Sequence, residues 1–330
     1  MSTPIQGESR SHDPRTRLLS RVRSAFDRPR TEPRRLRRAG EPHLAPTPED
    51  FQLPPLTTPN RAGSIRAALV LAAFAGLTIP LLPVQAALKR SHRRAARTFP
   101  NWYHRRVARL LGLRIAVDGA IDRDRPVLLV ANHTSWLDIV VLSAVAPVSF
   151  VAKREVSGWP GVGLLARLQQ TVFVDRTRRT SVGETASEIA TRLAQRDAIV
   201  LFAEGTSTDG NRLLPFKSSL FGAVVAAPTH ASQSGKAMPP LVQTVTLAYT
   251  RVQGVTLGRA DRPLVGWYGD MEMADHAWQL LKTGPLDVAV RIGEPRDLSE
   301  FSDRKTIAAA TELEIRAALT ELLRDPNAKG

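Results

Sequence analysis

Pro126-Val127-Leu128-Leu129-Val130-Ala131 runs straight into Asn132-His133-Thr134-Ser135-Trp136-Leu137-Asp138, and the reading of this stretch decides the fold. A short run of branched apolar residues between a proline and an asparagine predicts a strand buried on both faces. The polar residues after it then stand at the strand's carboxyl end, where open α/β sheets collect their ligands. His133 precedes Asp138 closely enough for a base and its orienting carboxylate. Imidazole takes and returns a proton near neutral pH. A carboxylate on one ring nitrogen fixes the tautomer and stabilises the imidazolium. The pair therefore suits deprotonation of an alcohol, a contribution of about 10² to 10⁴ in rate. An arbitrary histidine and aspartate at this spacing more often cap a strand and solvate a helix turn, so other segments must decide.

Two segments bear on it. Phe202-Ala203-Glu204-Gly205-Thr206 follows the apolar run 198–201 and again puts polar groups at a strand's end. Gly205 lets backbone approach a ligand, while Glu204 and Thr206 offer an acceptor and a donor. Between them, Thr171-Val172-Phe173-Val174-Asp175-Arg176 reads as a strand ending in charge. Arg176 can grip an anionic head group with its guanidinium fork, or stand solvated beside Arg178 and Arg179.

In combination the three segments resemble the glycerophospholipid acyltransferase family. Its first motif, N-H-x-x-x-x-D, is met by Asn132, His133 and Asp138. The second, an apolar strand ending in arginine, is met by Val172, Phe173, Val174 and Arg176, with Gln170 or Thr171 where glycine usually opens it. The third, F-P-E-G-T-R-S, is met by Phe202, Glu204, Gly205 and Thr206, with Ala203 at the usual proline and Ser207 where many members carry arginine. The fourth, an apolar strand with proline, is loosely represented by residues 239–246. Phe150 to Lys153 with Pro160 and Gly163, and Phe216, Lys217 and Phe221, also match the family's intervening regions. The resemblance covers roughly residues 100–295 in consistent order.

Charge is unevenly distributed. Residues 1–63 hold 12 basic and 7 acidic side chains, residues 64–110 hold 9 and none, and residues 111–330 hold 25 and 24. A nucleic-acid binder carries its charge on the folded surface, whereas here it brackets an apolar segment. That placement points to an anionic membrane, with each basic residue near it worth about 1 kcal/mol. The apolar segment, 67–88, is long enough for one crossing as a helix. Pro80 and Pro83 are expected to kink or break it. Arg61 and Arg66 before it and Lys89, Arg90, Arg93, Arg94 and Arg97 after it make both flanks basic, which disfavours a clean crossing. A broken hairpin dipping into one leaflet is therefore expected, slightly ahead of a true span. The resemblance implies a similar arrangement, with the site at the cytoplasmic face of the inner membrane.

The chain contains no cysteine, which removes disulfides, thiolate catalysis and the commonest zinc sites. Its seven histidines show no paired ligand spacing, so no metal and no cofactor are expected. Residues 1–63 read as a basic disordered region, with one possible amphipathic helix at Leu18, Leu19, Val22 and Phe26. Residues 64–110 read as the membrane anchor and 111–330 as the acyltransferase domain. Strands are expected at 127–131, 148–152, 172–174, 198–203, 242–248 and 288–292. Helices are expected at 135–146, 161–168, 182–196, 219–226, 274–281 and 305–323. This alternation predicts an α/β fold, which the resemblance narrows to a single glycerolipid acyltransferase domain with a mainly parallel mixed sheet flanked by helices. Trp267-Tyr268-Gly269-Asp270 reads as a structural loop.

The resemblance implies direct acyl transfer. His133, assisted by Asp138, deprotonates a lysolipid hydroxyl that attacks the thioester of acyl carrier protein or coenzyme A. Arg176, with Lys153 as a weaker candidate, holds the head group. Glu204 and Thr206 position the glycerol or donor, and backbone near Gly205 and Thr206 supplies oxyanion donors. Ser135 as a nucleophile ranks below a role at a helix start. The family's default acceptor is 1-acyl-sn-glycerol-3-phosphate, giving phosphatidic acid. Ser207 removes one anion contact and makes lyso-ornithine lipid the alternative. A catalytically silent lipid-binding protein at the membrane surface is the alternative outside enzymes.

Overall fold

A computed structural model describes residues 61–174, 187–189, 191–193, 195, 197–225 and 240–325. Arg176, the amphipathic helix expected around Leu18, Pro239 and much of the expected helix 182–196 lie outside these residues. The chain runs α1 (Arg61–Ser91), α2 (Arg93–Leu111), β1 (Leu113–Asp118), β2 (Val127–Ala131), α3 (Leu137–Val145), β3 (Val148–Lys153), α4 (Val162–Leu168) and β4 (Val172–Val174). After helical residues at 187–189 and 191–193 come β5 (Ala198–Phe202), the short α5 (Gly222–Val225), β6 (Leu241–Val252) and β7 (Val255–Thr256). The remainder is α6 (Met273–Thr283), β8 (Leu286–Ile292), β9 (Arg296–Asp297) and α7 (Arg304–Arg324).

All five residues of β2 are buried. Val127, Leu129 and Ala131 enter one core and Leu128 and Val130 the other, which is the period-two alternation of a strand covered on both faces. The sheet order is β1-β8-β6-β2-β5-β3-β4, with β7 and β9 paired to β6. β2 is parallel to both neighbours, with Ala131 opposite Phe202 and Val245. The pairs β3–β4, β3–β5 and β1–β8 are also parallel, while β6 and β8 run antiparallel. Residues of α1, α2, α3 and α6 join the first core, and residues of α7 with Ile189 and Leu193 join the second. The expected α/β fold with a mainly parallel mixed sheet is present. The edge strand β1 was not expected, because Arg114 and an exposed Val117 obscure its alternation.

The amino-terminal hairpin differs from expectation in where it turns. α1 continues through Pro80 and Pro83, and the chain reverses at His92 between α1 and α2. Tertiary ties on either side of the prolines hold the helix. Thr78 Oγ1 and the Tyr103 hydroxyl share a 2.7 Å hydrogen bond, and Gln85 Nε2 donates to the carbonyls of Ala96 and Leu168 at 2.9 and 3.0 Å. Each proline removes one backbone donor, a loss that packing over a whole helix face can outweigh. Arg66, expected as part of the basic flank, instead donates to the Leu281 and Leu111 carbonyls, at the carboxyl ends of α6 and α2. Gly112 ends α2 at φ +80°, where a Cβ would also press on Pro285 at 3.2 Å.

On α1 the buried residues Gly63, Ala67, Val70, Thr78 and Gln85 follow helical spacing along one face. The opposite face is also apolar, yet Ile65, Leu69 and Ile79 are 62%, 65% and 65% exposed. By length and composition α1 can cross a membrane, the one such helix among the described residues.

Candidate active site

β2 ends at Ala131, and Asn132 fastens that end to the sheet. Its Nδ2 donates to the Leu247 carbonyl at 3.0 Å and its Oδ1 accepts from the Leu247 amide at 2.8 Å. The chain then turns into α3, and Asp138 in the first turn receives four donors. Oδ2 accepts from His133 Nδ1 at 2.8 Å and from the amides of Thr134 and Ser135 at 2.7 and 3.0 Å. Oδ1 accepts from the Tyr249 hydroxyl at 2.6 Å. Asp138 is fully buried while the His133 side chain keeps 18% exposure. An ionised carboxylate only accepts, so Nδ1 carries the proton and Nε2 keeps its lone pair for an incoming hydroxyl.

Tyr249 had no signal in the sequence, since it sits far along the chain on β6. Burial first, then the Asp138 carboxylate beside it, holds its hydroxyl pKa well above the ordinary tyrosine value, so it stays a donor. The His133 ring stacks on Phe202, 4.0 Å between centroids and 16° between planes. Phe202 stacks in turn on Phe150 at 6.1 Å. The orientation of the imidazole is thus set from two directions, by a carboxylate at its edge and a ring at its face.

Glu204 stands beside this pair in a load of its own kind. Its Oε1 accepts from the His133 amide and its Oε2 from the Leu214 amide, both at 2.8 Å. Burial pushes the carboxyl up to about 7, against the pull of the two amides. Both oxygens therefore pin backbone. Gly205 turns away at φ +73°, and its amide donates to the Phe202 carbonyl at 3.0 Å. Of the backbone donors expected around Gly205 and Thr206, the Gly205 amide is therefore engaged within the turn. Thr206 is exposed beyond it. Lys153 ends β3, also exposed. The structure thus unites His133, Asp138 and Glu204, places Gly205 and Thr206 next to them, and leaves Lys153 on a neighbouring strand end.

The loop 267–270 is more closely tied to the site than a structural turn requires. The Trp267 amide donates to the Thr134 carbonyl at 2.9 Å, the Thr208 amide to the His133 carbonyl at 3.0 Å, and Ser207 Oγ to the Trp267 carbonyl. Trp136 directs its indole N–H to His276 Nδ1 at 3.1 Å. Ser135 Oγ is buried without a hydrogen-bond partner, with no base on it to make it a nucleophile.

An apolar cavity of about 400 Å³ lies between the α1–α2 hairpin and the sheet-side helices, lined by residues including Phe74, Leu82, Tyr103, Trp136, Phe150 and Leu165. Phe150 lines it, and the Phe202 ring stands between Phe150 and the His133 imidazole.

Comparison with known proteins gives the family. The acyltransferase family model matches residues 114–246, which include His133, Asp138 and Glu204. A lyso-ornithine lipid O-acyltransferase of Brucella abortus is 50% identical over 79% of this chain and 96% of its own length. A protein of the same name from Rhizobium meliloti is 42% identical over 79% of this chain and 88% of its own. A 1-acyl-sn-glycerol-3-phosphate acyltransferase of Neisseria meningitidis is 30% identical over 64% of this chain and 78% of its own. The crystal structure of the 1-acyl-sn-glycerophosphate acyltransferase from Thermotoga maritima superposes with a TM-score of 0.54 at 22% identity, covering 80% of this chain and 95% of that one, a likeness of fold. A relative half identical almost from end to end leaves one assignment for a chain built this way: it belongs to the glycerophospholipid acyltransferase family.

Proposed function

We propose that this chain is a membrane-surface O-acyltransferase that moves a fatty acyl group from a thioester of acyl carrier protein or coenzyme A to the hydroxyl of a lyso-ornithine lipid. The observation that carries the choice of acceptor is the 50% identity to the Brucella protein of that name over 96% of its length. It reverses the order of the two acceptors expected from the motifs. Ser207 supports it, since its hydroxyl turns to the Trp267 carbonyl where many family members present an arginine to phosphate. The acceptor 1-acyl-sn-glycerol-3-phosphate is the second reading, favoured by the Neisseria relative.

His133 Nε2 takes the acceptor's hydroxyl proton while Asp138 stabilises the imidazolium. The oxygen attacks the thioester carbonyl, the new C–O ester bond forms, and the C–S bond breaks. The leaving thiolate recovers the proton from His133. The apolar cavity suits an acyl chain, each buried methylene contributing about 0.8 kcal/mol. The exposed apolar face of α1, followed by Lys89, Arg90, Arg93 and Arg94, suits one leaflet of an anionic membrane at its cytoplasmic face.

The test uses purified full-length protein in anionic vesicles, with both thioesters and each acceptor offered separately, and His133→Ala as control. Acylated ornithine lipid formed only with His133 present is expected. Phosphatidic acid as the sole product would overturn the choice of acceptor.

A further inference from the structure

Trp159 and Trp267 come from separate parts of the chain and meet edge to face, 5.9 Å between centroids and 86° between planes. Trp159 follows the single turn after β3 and is 38% exposed. Trp267 is held in three ways. Its amide donates to the Thr134 carbonyl next to the base, its indole N–H donates to the Met271 carbonyl at 2.8 Å, and its carbonyl accepts from Ser207 Oγ. β5 lies between β3 and β2 in the sheet, so the pair joins segments on either side of the β5 end that carries Glu204 to Ser207. It stands beside the position where many family members carry an arginine.

The geometry points to this aromatic pair as the site that receives a primary ammonium on the acceptor's head group, and so as a determinant of acceptor selectivity. The inference rests on the lyso-ornithine reading. Ornithine with its α-amine in an amide keeps a carboxylate and, on a short aliphatic arm, an ammonium. The indole faces left open beside this edge-to-face contact carry negative potential, which attracts a cation. The same faces disfavour a phosphate monoester, and Ser207 offers it no countercharge. Selection thus comes both from attraction of the right head group and rejection of the wrong one. The hydrogen bonds on Trp267 fix one indole relative to His133, so ammonium capture also sets where the hydroxyl lies.

The experiment compares lyso-ornithine lipid with its side-chain N-acetylated derivative, which loses the charge and keeps the rest of the head group. Wild type, Trp159→Leu and Trp159→Phe are assayed as full-length protein in vesicles, with vesicle binding measured alongside. Trp159 is exposed, so its replacement leaves the core untouched. Trp159→Leu is expected to lose about 2- to 30-fold in kcat/KM on the charged acceptor, the span of cation–π contacts from exposed to desolvated sites. Little change is expected on the acetylated acceptor, and Trp159→Phe should recover part of the loss. An equal loss on both acceptors, or a loss that follows vesicle binding, would overturn the ammonium site while leaving the proposed function standing. Turnover of lysophosphatidic acid with none of lyso-ornithine lipid by wild type would overturn the function and this site with it.

Discussion

Replacing Asp138 by asparagine separates the charge of the pair from its geometry. In the wild type three N–H groups converge on Oδ2 and the Tyr249 hydroxyl donates to Oδ1. Asparagine reproduces that pattern in one orientation. Its carbonyl oxygen faces the three N–H groups, and its NH₂ points at Tyr249, whose hydroxyl rotates to accept. The turn and the histidine tautomer are retained, so what disappears is the negative charge opposite the imidazolium. Removing one partner of a buried pair costs about 3–5 kcal/mol. Applied to the transition state, this is roughly two to nearly four orders of magnitude in kcat/KM. Tyr249→Phe alone removes one donor from the carboxylate and should cost about 1–3 kcal/mol of stability. In the double variant the new NH₂ faces a ring that accepts nothing, so the melting temperature should fall further than in Asp138→Asn alone. The assay is acyl transfer at saturating thioester over a range of acceptor concentrations, with thermal melting as the control for folding. A well-folded Asp138→Asn enzyme that keeps more than about a tenth of wild-type kcat/KM, less than a 1.4 kcal/mol loss, would refute the base–carboxylate reasoning.

Glu204 gives a pH signature. Its folded pKa is raised to about 7 from 4.5, so its protonated form is favoured by folding. The stability it contributes is complete below the unfolded value and disappears as pH rises through about 7, a change of about 3 kcal/mol. Between pH 4.5 and 7 the melting temperature of wild type should fall by about 6–12 °C relative to Glu204→Gln, and parallel melting curves would count against this account. On α1, Leu69→Ser with Ile79→Ser alters two exposed side chains and should leave the melting temperature unchanged. If that face enters lipid, the double variant loses about 3–6 kcal/mol of partitioning, read by co-sedimentation with anionic vesicles. Unaltered sedimentation would remove α1 from the membrane contact.

What could be read from the sequence depended on the range over which each signal acts. β2 and β4 match their expected bounds because each is a short apolar run with sharp polar ends. His133 and Asp138 were visible because both lie in one turn. α2 was taken for a basic flank, although Ala96, Pro100, Val107 and Leu111 mark a buried stripe at helical spacing. The arginines between them dominated the reading. The continuity of α1 could not be inferred, since the contacts of Thr78 and Gln85 that hold it come from other elements. Tyr249 and Trp267 were missed as parts of the site for the same reason. Their roles arise from register and loop packing, which no local pattern records. Glu204 was found, but as a ligand contact. Only the fold shows that both of its oxygens face backbone amides.

The fasteners of the His133 loop have a bearing on the order in which the protein is made. The two chemical groups are complete once Asp138 has been synthesised, but the loop around them is held by Glu204 and Thr208, by Leu247 and Tyr249, and by Trp267. A nascent chain therefore carries the imidazole and the carboxylate long before it can hold them in register. In the proposed mechanism a thioester meets a base held in register only after most of the polypeptide has left the ribosome, so assembly of the sheet doubles as a timer on the chemistry.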